Sequence, residues 1–248
     1  MKKILNSIMD IGEQMLLCGA EVSRVEDCIR RMGSAYGSMR TDPFIITSSM
    51  EVTLIDSSGV SHTQTRRISA IDNDIEKLHR LNALVRKICE TAPSCEEINA
   101  ELSSIIKTQK YPFPVQILSY AAISGGFTVF FGGGILECLL AVGISVILTF
   151  VARLSEKGNL NRIFSKFFCS FVAALIALAL VRFGVVSKAD NIIIGNIMLL
   201  IPGVGITTAL RDLFVGDSIS GVLRTIEAVL FALAIAGGYF LAAFIIGG

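Results

Sequence analysis

The sequence predicts a mainly α-helical, polytopic membrane protein of about five spans, preceded by an amino-terminal α+β domain that contains a β-hairpin. Three observations carry this. The 248 residues are 52% hydrophobic and 17% charged, with no Trp and a mean hydropathy of +0.66, too apolar for an ordinary soluble domain. Of 22 basic and 21 acidic residues, 14 and 15 fall in residues 1–110, leaving 8 and 6 for the other 138. Beyond residue 110, uncharged runs of about 20 residues recur, the length a bilayer core requires. A net charge of +1 gives no basic excess for phosphates, so a nucleic-acid binder is a poor fit, as are a single soluble domain and a secreted disulfide scaffold.

The elements of the polar part follow in order. Lys2 and Lys3 precede apolar residues as in a secretory signal, but Asp10, Glu13 and Gln14 interrupt the apolar core that a signal needs. Ile4, Leu5, Ile8, Ile11, Met15 and Cys18 instead recur at helical steps, and Val22, Val25, Ile29 and Met32 continue the face until Gly33 and Gly37 end it. Gly19 marks a kink or a close contact between the two halves. From Phe44, FIITSSMEVTLID and VSHTQTRRIS are rich in β-branched residues around the turn Asp56-Ser57-Ser58-Gly59, which predicts the hairpin. After Ser69, helical spacing returns through Ile71, Ile75, Leu78, Leu81, Leu84, Val85 and Ile88. A short helix starts near Ser94, with Ser94 and Glu97 forming a capping box. About 110 residues suffice for a core of their own.

This part offers little chemistry. Glu21, Arg24, Glu26 and Asp27 share a helix and either line a site or form a solvated face with i,i+3 ion pairs. Ser57-Ser58 is a turn, since neither His62 nor His79 has an orienting partner. Cysteines 18, 28, 89, 95, 138 and 169 include no Cys-x-x-Cys pair and no His at a metal spacing. They are packing residues of a reducing compartment, and no metal or other cofactor is implied.

The apolar part, 111–248, holds spans near 113–131, 134–152, 167–186, 191–210 and 226–247. Gly132-Gly133-Gly134 is the turn between the first two, and Arg182 lies close enough to one end of the third to reach the interface. Lys107, Lys110, Arg153, Lys157, Arg162, Lys166, Arg211 and Arg224 all fall on one side of a five-span arrangement. The positive-inside bias then makes the polar domain cytoplasmic and places the carboxy terminus outside. Gly125-Gly126, Gly143, Ala173-Ala174, Ala177, Gly195 and Gly237-Gly238 predict closely packed helices rather than a lone anchor in the lipid bilayer.

The stretch with most chemistry begins at Pro202. Pro202 removes a backbone donor, and Gly203 and Gly205 loosen the chain, so the fourth span should break there. Broken helices form binding sites in many secondary transporters, because half-helix ends carry partial charges. Thr207 and Thr208 supply hydroxyls beside the break, and Arg211, Asp212, Asp217, Arg224 and Glu227 supply both signs of charge. An arginine pairs readily with a solute carboxylate, and an acid can bind an ammonium or carry a proton. Arg224 and Glu227 also stand at ion-pair spacing, and Glu137, a lone acid at the end of its span, is either a site residue or an interfacial one.

Gly19-Ala-Glu-Val-Ser-Arg-Val-Glu-Asp, Asp42-Pro-Phe, Thr65-Arg-Arg-Ile, and Ile201-Pro-Gly through Asp217 to Arg224 and Glu227 make the chain resemble the threonine/serine exporter family over nearly its whole length. It looks most like the split members, in which a cytoplasmic domain and about five spans work with a second, shorter membrane protein. The resemblance implies export of small hydrophilic metabolites driven by the proton motive force, with threonine and serine or small dicarboxylates as substrates. It also implies an inner or plasma membrane location and a second membrane subunit or a homo-oligomer. A membrane-anchored hydrolase or sensor acting through the cytoplasmic domain is the alternative, weakened by the costly broken spans and the missing catalytic set. A channel or scaffold would differ from a coupled exporter in its indifference to a proton gradient.

Overall fold

A computed structural model describes residues 1–68, 72–108, 111–158 and 160–247, which form two compact units. One comprises Met1–Gln109 with Val204–Thr225, the other Lys110–Gly203 with Ile226–Gly248. The segment Val204–Thr225, assigned by sequence to the membrane part, groups with residues 1–109.

The first unit opens with helices α1 (Lys2–Leu17) and α2 (Val22–Ala35). They are separate because Gly19 adopts φ +89 and touches the segment ahead of the next helix: a Cβ there would lie 2.6 Å from Asn73 Oδ1. Asp72 N–H donates to the Leu17 carbonyl at 2.8 Å and Asp74 N–H to that of Cys18 at 3.2 Å, so the α1–α2 junction is tied down. Gly33 does not end α2; it lies buried within it, where Thr41 and Leu54 leave no room for a side chain. Gly37, at φ +73, follows the helix end.

The expected hairpin around Asp56–Gly59 is present as β2 (Ser49–Ile55) and β3 (Ser61–Arg67), and β1 (Arg40–Ile46) adds a third antiparallel strand on the other edge of β2. The run FIITSSMEVTLID folds back on itself at Thr47-Ser48, with Ile46 paired to Ser49 and Phe44 to Glu51. Central β2 alternates, burying Met50, Val52 and Leu54, each burial worth about 1.5–3 kcal/mol. Helices α3 (Ile75–Thr91) and α4 (Cys95–Ile106) complete this part. Asp74 caps α3, so Ile75 starts the helix and is exposed rather than core-facing, while Ile71 lies outside the described residues. Ser94 caps α4 by accepting from Glu97 N–H at 3.3 Å. Leu5, Ile8, Ile11, Met15, Ile29 and Leu81 form the centre of one core.

The second unit contains α5 (Phe113–Phe130), α6 (Ile135–Lys157), α7 (Arg162–Arg182) and α8 (Asp190–Ile197). Some of its small residues bring helices together, whereas Gly126 and Gly143 have nothing within 4 Å of where a Cβ would stand. A Cβ on Gly125 would meet Val142 at 2.9 Å and one on Gly238 would meet the Phe171 nitrogen at 2.9 Å. Ala141, Ile144, Cys169, Ala173, Ala177 and Ile192 form the interior, while Leu118, Phe130, Ile135, Phe240 and Phe244 point outward, as lipid-facing residues do.

Four described helices are long and apolar enough to cross a membrane: α5, α6, α7 and α10 (Ser218–Gly247). The fourth stretch expected from sequence, 191–210, is two shorter helices. Its first half is α8, the backbone leaves the helix before Pro202, and α9 (Gly203–Val215) runs past the expected end. The last helix starts at Ser218 rather than near 226.

Candidate functional site

Within the first unit, α9 and the opening turns of α10 bring charge to the α1–α2 junction. Asp212 is 1% exposed in its side chain and faces Arg224, 8% exposed, with Nε 3.2 Å from Oδ2. The contact is ionic rather than hydrogen-bonded: neither Asp212 carboxylate oxygen receives a donor, and the Arg224 Nε–H is not directed at one. Arg224 Nη2 donates to the Ala20 carbonyl at 3.1 Å. On the neighbouring turn, Arg211 Nη1 donates to Glu21 Oε1 at 2.7 Å, a half-exposed pair of the kind worth about 0–1 kcal/mol. Asp217 closes the turn between the helices by donating its N–H to the Asp212 carbonyl at 2.9 Å, and one of its carboxylate oxygens is buried without a donor, as is Glu21 Oε2.

The cluster therefore holds three acids, Glu21, Asp212 and Asp217, against two arginines, Arg211 and Arg224. Of these acids, Asp212 has both carboxylate oxygens buried without a hydrogen-bond donor. Burial raises the Asp212 pKa above the ordinary aspartate value; Arg224 and Arg211 pull it down, while Asp217 and Glu21 push it up. Such a carboxyl is suited to taking and releasing a proton. Among the described residues, no three His, Cys, Asp or Glu side chains converge as a metal site would require.

The sequence-predicted residues divide clearly. Arg211, Asp212, Asp217 and Arg224 come together. Thr207 and Thr208 lie on α9, with their hydroxyls donating to the Val204 carbonyl at 2.9 Å each, Thr208 being buried. Gly203 begins α9 and Gly205 lies in its first turn, while Pro202 belongs to the other unit at the helix break. Glu227 also lies in that unit and is exposed, and the nearest acidic partner of Arg224 is Asp212, not the acid three residues on. Glu137 accepts from Gly134 N–H at 2.7 Å and so caps α6.

Of two further contributors, one escaped the sequence and the other was visible only as part of a charged helical cluster. Ala20 presents only a carbonyl, which no side-chain pattern can signal. Glu21 was grouped with Arg24, Glu26 and Asp27, and that solvated-face interpretation suits the others: Arg30 pairs with Glu26 at 2.9 Å and Arg31 with Asp27 at 3.0 Å, both i,i+4. Glu21 differs because it precedes α2 and makes no side-chain cap, which frees its carboxylate for Arg211.

A family model described as "Putative threonine/serine exporter" matches residues 6–246. The "Threonine/serine exporter" of Corynebacterium glutamicum is 27% identical over 95% of this chain and 50% of its own length. The "Probable threonine/serine exporter" of Mycobacterium tuberculosis is 22% identical over 96% of this chain and 45% of its own. The chain thus spans about half the length of these two curated relatives. The "Probable succinate transporter subunit YjjP" of Klebsiella aerogenes is 23% identical over 89% of this chain and 85% of its own length. No solved structure matches the chain significantly.

Proposed function

The chain belongs to the threonine/serine exporter family, and on that premise we propose that it is one subunit of a secondary transporter that exports small hydrophilic metabolites, coupled to the proton motive force. Threonine and serine, or small dicarboxylates such as succinate, are the substrate classes that its relatives' names supply. The observation that carries the proposal is the buried Asp212–Arg224 pair, whose carboxylate receives no hydrogen bond. A protein that only anchors a domain has no use for a desolvated carboxyl that receives no hydrogen bond, because such a group is costly. A protein that must bind a proton and release it has that use.

The polar domain, residues 1–110, is cytoplasmic and the carboxy terminus outside, as the basic loop residues of a five-span arrangement favour. A second, shorter membrane protein or a second copy completes the transport path, a proposal supported by the subunit designation of one relative. Pro202, Gly203, Gly205, Thr207 and Thr208 contribute the flexible break, and Arg211, Asp212, Asp217 and Arg224 the charges that respond to protonation. Glu227 is a further charged candidate for the transport path. No catalytic turnover is expected.

The test is efflux from cells preloaded with threonine, serine or succinate, comparing wild type with Asp212→Asn, Asp217→Asn and Arg224→Leu at matched membrane abundance. Coupled export requires that all three slow efflux. Full efflux by every variant would remove the cluster from the transport path.

A further inference from the structure

The second unit hides a polar requirement that its own residues do not meet. Helix α8 packs against α5, α6 and α7. Gly195 permits its approach to α5, since a Cβ there would lie 2.8 Å from the Ser124 carbonyl oxygen and 3.1 Å from the Thr128 nitrogen. The next residue, Asn196, is fully buried. Its Nδ2 donates to the Ile192 carbonyl at 2.9 Å. A carbonyl can only accept, so this bond fixes which end of the amide is nitrogen, and Oδ1 occupies the other end with no donor.

The hydroxyls of α5 and α6, against which α8 packs, do not supply one. Ser124 donates to Ala141 at 3.1 Å, Thr128 to Ser124 at 2.8 Å, Ser145 to Val142 at 2.7 Å and Thr149 to Ser145 at 2.9 Å, each to a backbone carbonyl. Beyond Asn196 the helix ends at Ile197, where its dipole is negative, and Pro202 has no N–H to offer the Met198 carbonyl. This region is rich in acceptors and short of donors, and an unmet acceptor in apolar surroundings is costly.

We propose that Asn196 is a solute-recognition residue whose Oδ1 accepts a hydrogen bond from the ammonium or hydroxyl group of the transported molecule. The inference rests on the exporter proposal above and narrows its substrate. An amino- or hydroxy-bearing solute supplies the missing donor; an ionised dicarboxylate brings only more acceptors and leaves Oδ1 unmet. Sites built to hydrogen-bond a polar group reject analogues that lack it far more strongly than apolar pockets reject a change of size.

The experiment uses the purified full chain in nanodiscs, with threonine, serine and succinate as probes, reading Tm against solute concentration. Threonine or serine raises the Tm of wild type and succinate does not. Asn196→Leu, close in shape but without the orphaned acceptor, is at least as stable as wild type without solute, yet its apparent Kd for threonine and serine rises at least tenfold. Asn196→Asp, kept protonated by burial so that its O–H donates to the Ile192 carbonyl, keeps an acceptor in place and retains binding, and it carries the test should the leucine variant fail to fold. Three results overturn the proposal: unchanged affinity in the folded leucine variant, loss of binding in the aspartate variant, or wild type that responds to succinate alone. The last leaves an exporter standing, whereas wild-type cells that release none of the three preloaded solutes faster than cells lacking the chain remove the exporter proposal itself.

Discussion

Replacing Arg224 by Leu exposes what the charge cluster requires. Asp212 is 1% exposed in its side chain and receives no hydrogen bond, so the guanidinium 3.2 Å away is the main group that stabilises its charge. Removing one partner of a buried pair costs about 3–5 kcal/mol, because the other is left uncompensated. The cost depends on pH. In the wild type the folded protein already holds the Asp212 proton more tightly than the unfolded chain does, since burial raises its pKa. Stability therefore declines as pH rises from the ordinary aspartate value to the raised one and is flat above it. Loss of Arg224 extends that window upward, so the deficit of Arg224→Leu is large at neutral pH and shrinks on acidification. The double variant Asp212→Leu/Arg224→Leu recovers most of the loss, because an apolar pair of similar volume carries no desolvation cost. The chain has no Trp, but Cys18 and Cys28 are buried in the first unit, so unfolding can be followed by a thiol-reactive dye. An Arg224→Leu protein within about 0.5 kcal/mol of wild type at neutral pH, the range of ordinary surface substitutions, would refute this reasoning. So would a double variant as unstable as the single one.

Other outcomes follow from individual positions. Gly19→Ala forces a side chain into φ +89 and against Asn73, which lowers stability by at least about 1–2 kcal/mol, seen as a lower unfolding midpoint in the same dye assay. Native labelling with a maleimide at neutral pH modifies exposed Cys89 first, read by peptide mass spectrometry, and spares Cys18, whose thiol burial pushes up to about 11. A membrane-impermeant reagent reaches a cysteine appended at the carboxy terminus from outside intact cells; labelling only from the cytoplasmic face would exclude the proposed orientation.

Much of the fold was legible because its signals are local. The three- and four-residue steps of α1 and α2, the break at Gly19, the Ser94–Glu97 cap and the interruption at Pro202 each depend on a few adjacent residues. Where a signal lacked its usual residue, it was missed. Thr47-Ser48 turns the chain without Gly, Pro or Asn, so two strands looked like one. The cluster was half legible: its charges crowd in sequence, but Arg224 had a nearer candidate in Glu227, and only the approach of α9 to α10 prefers Asp212. The Arg211–Glu21 contact joins residues 190 apart, beyond any periodicity. Asn196 carried no signal, a single amide within an apolar run whose unmet oxygen depends on how its neighbours' hydroxyls are already used.

Proton coupling through Asp212 is tested most directly in inside-out vesicles holding the chain and its membrane partner. Accumulation of labelled threonine or succinate would be measured with and without an imposed proton gradient, and solute exchange measured separately. Wild type should accumulate solute only with the gradient, while Asp212→Asn, unable to ionise, should exchange solute but lose gradient-driven accumulation. Full gradient-driven accumulation by Asp212→Asn would contradict the assignment of the coupling proton to this cluster.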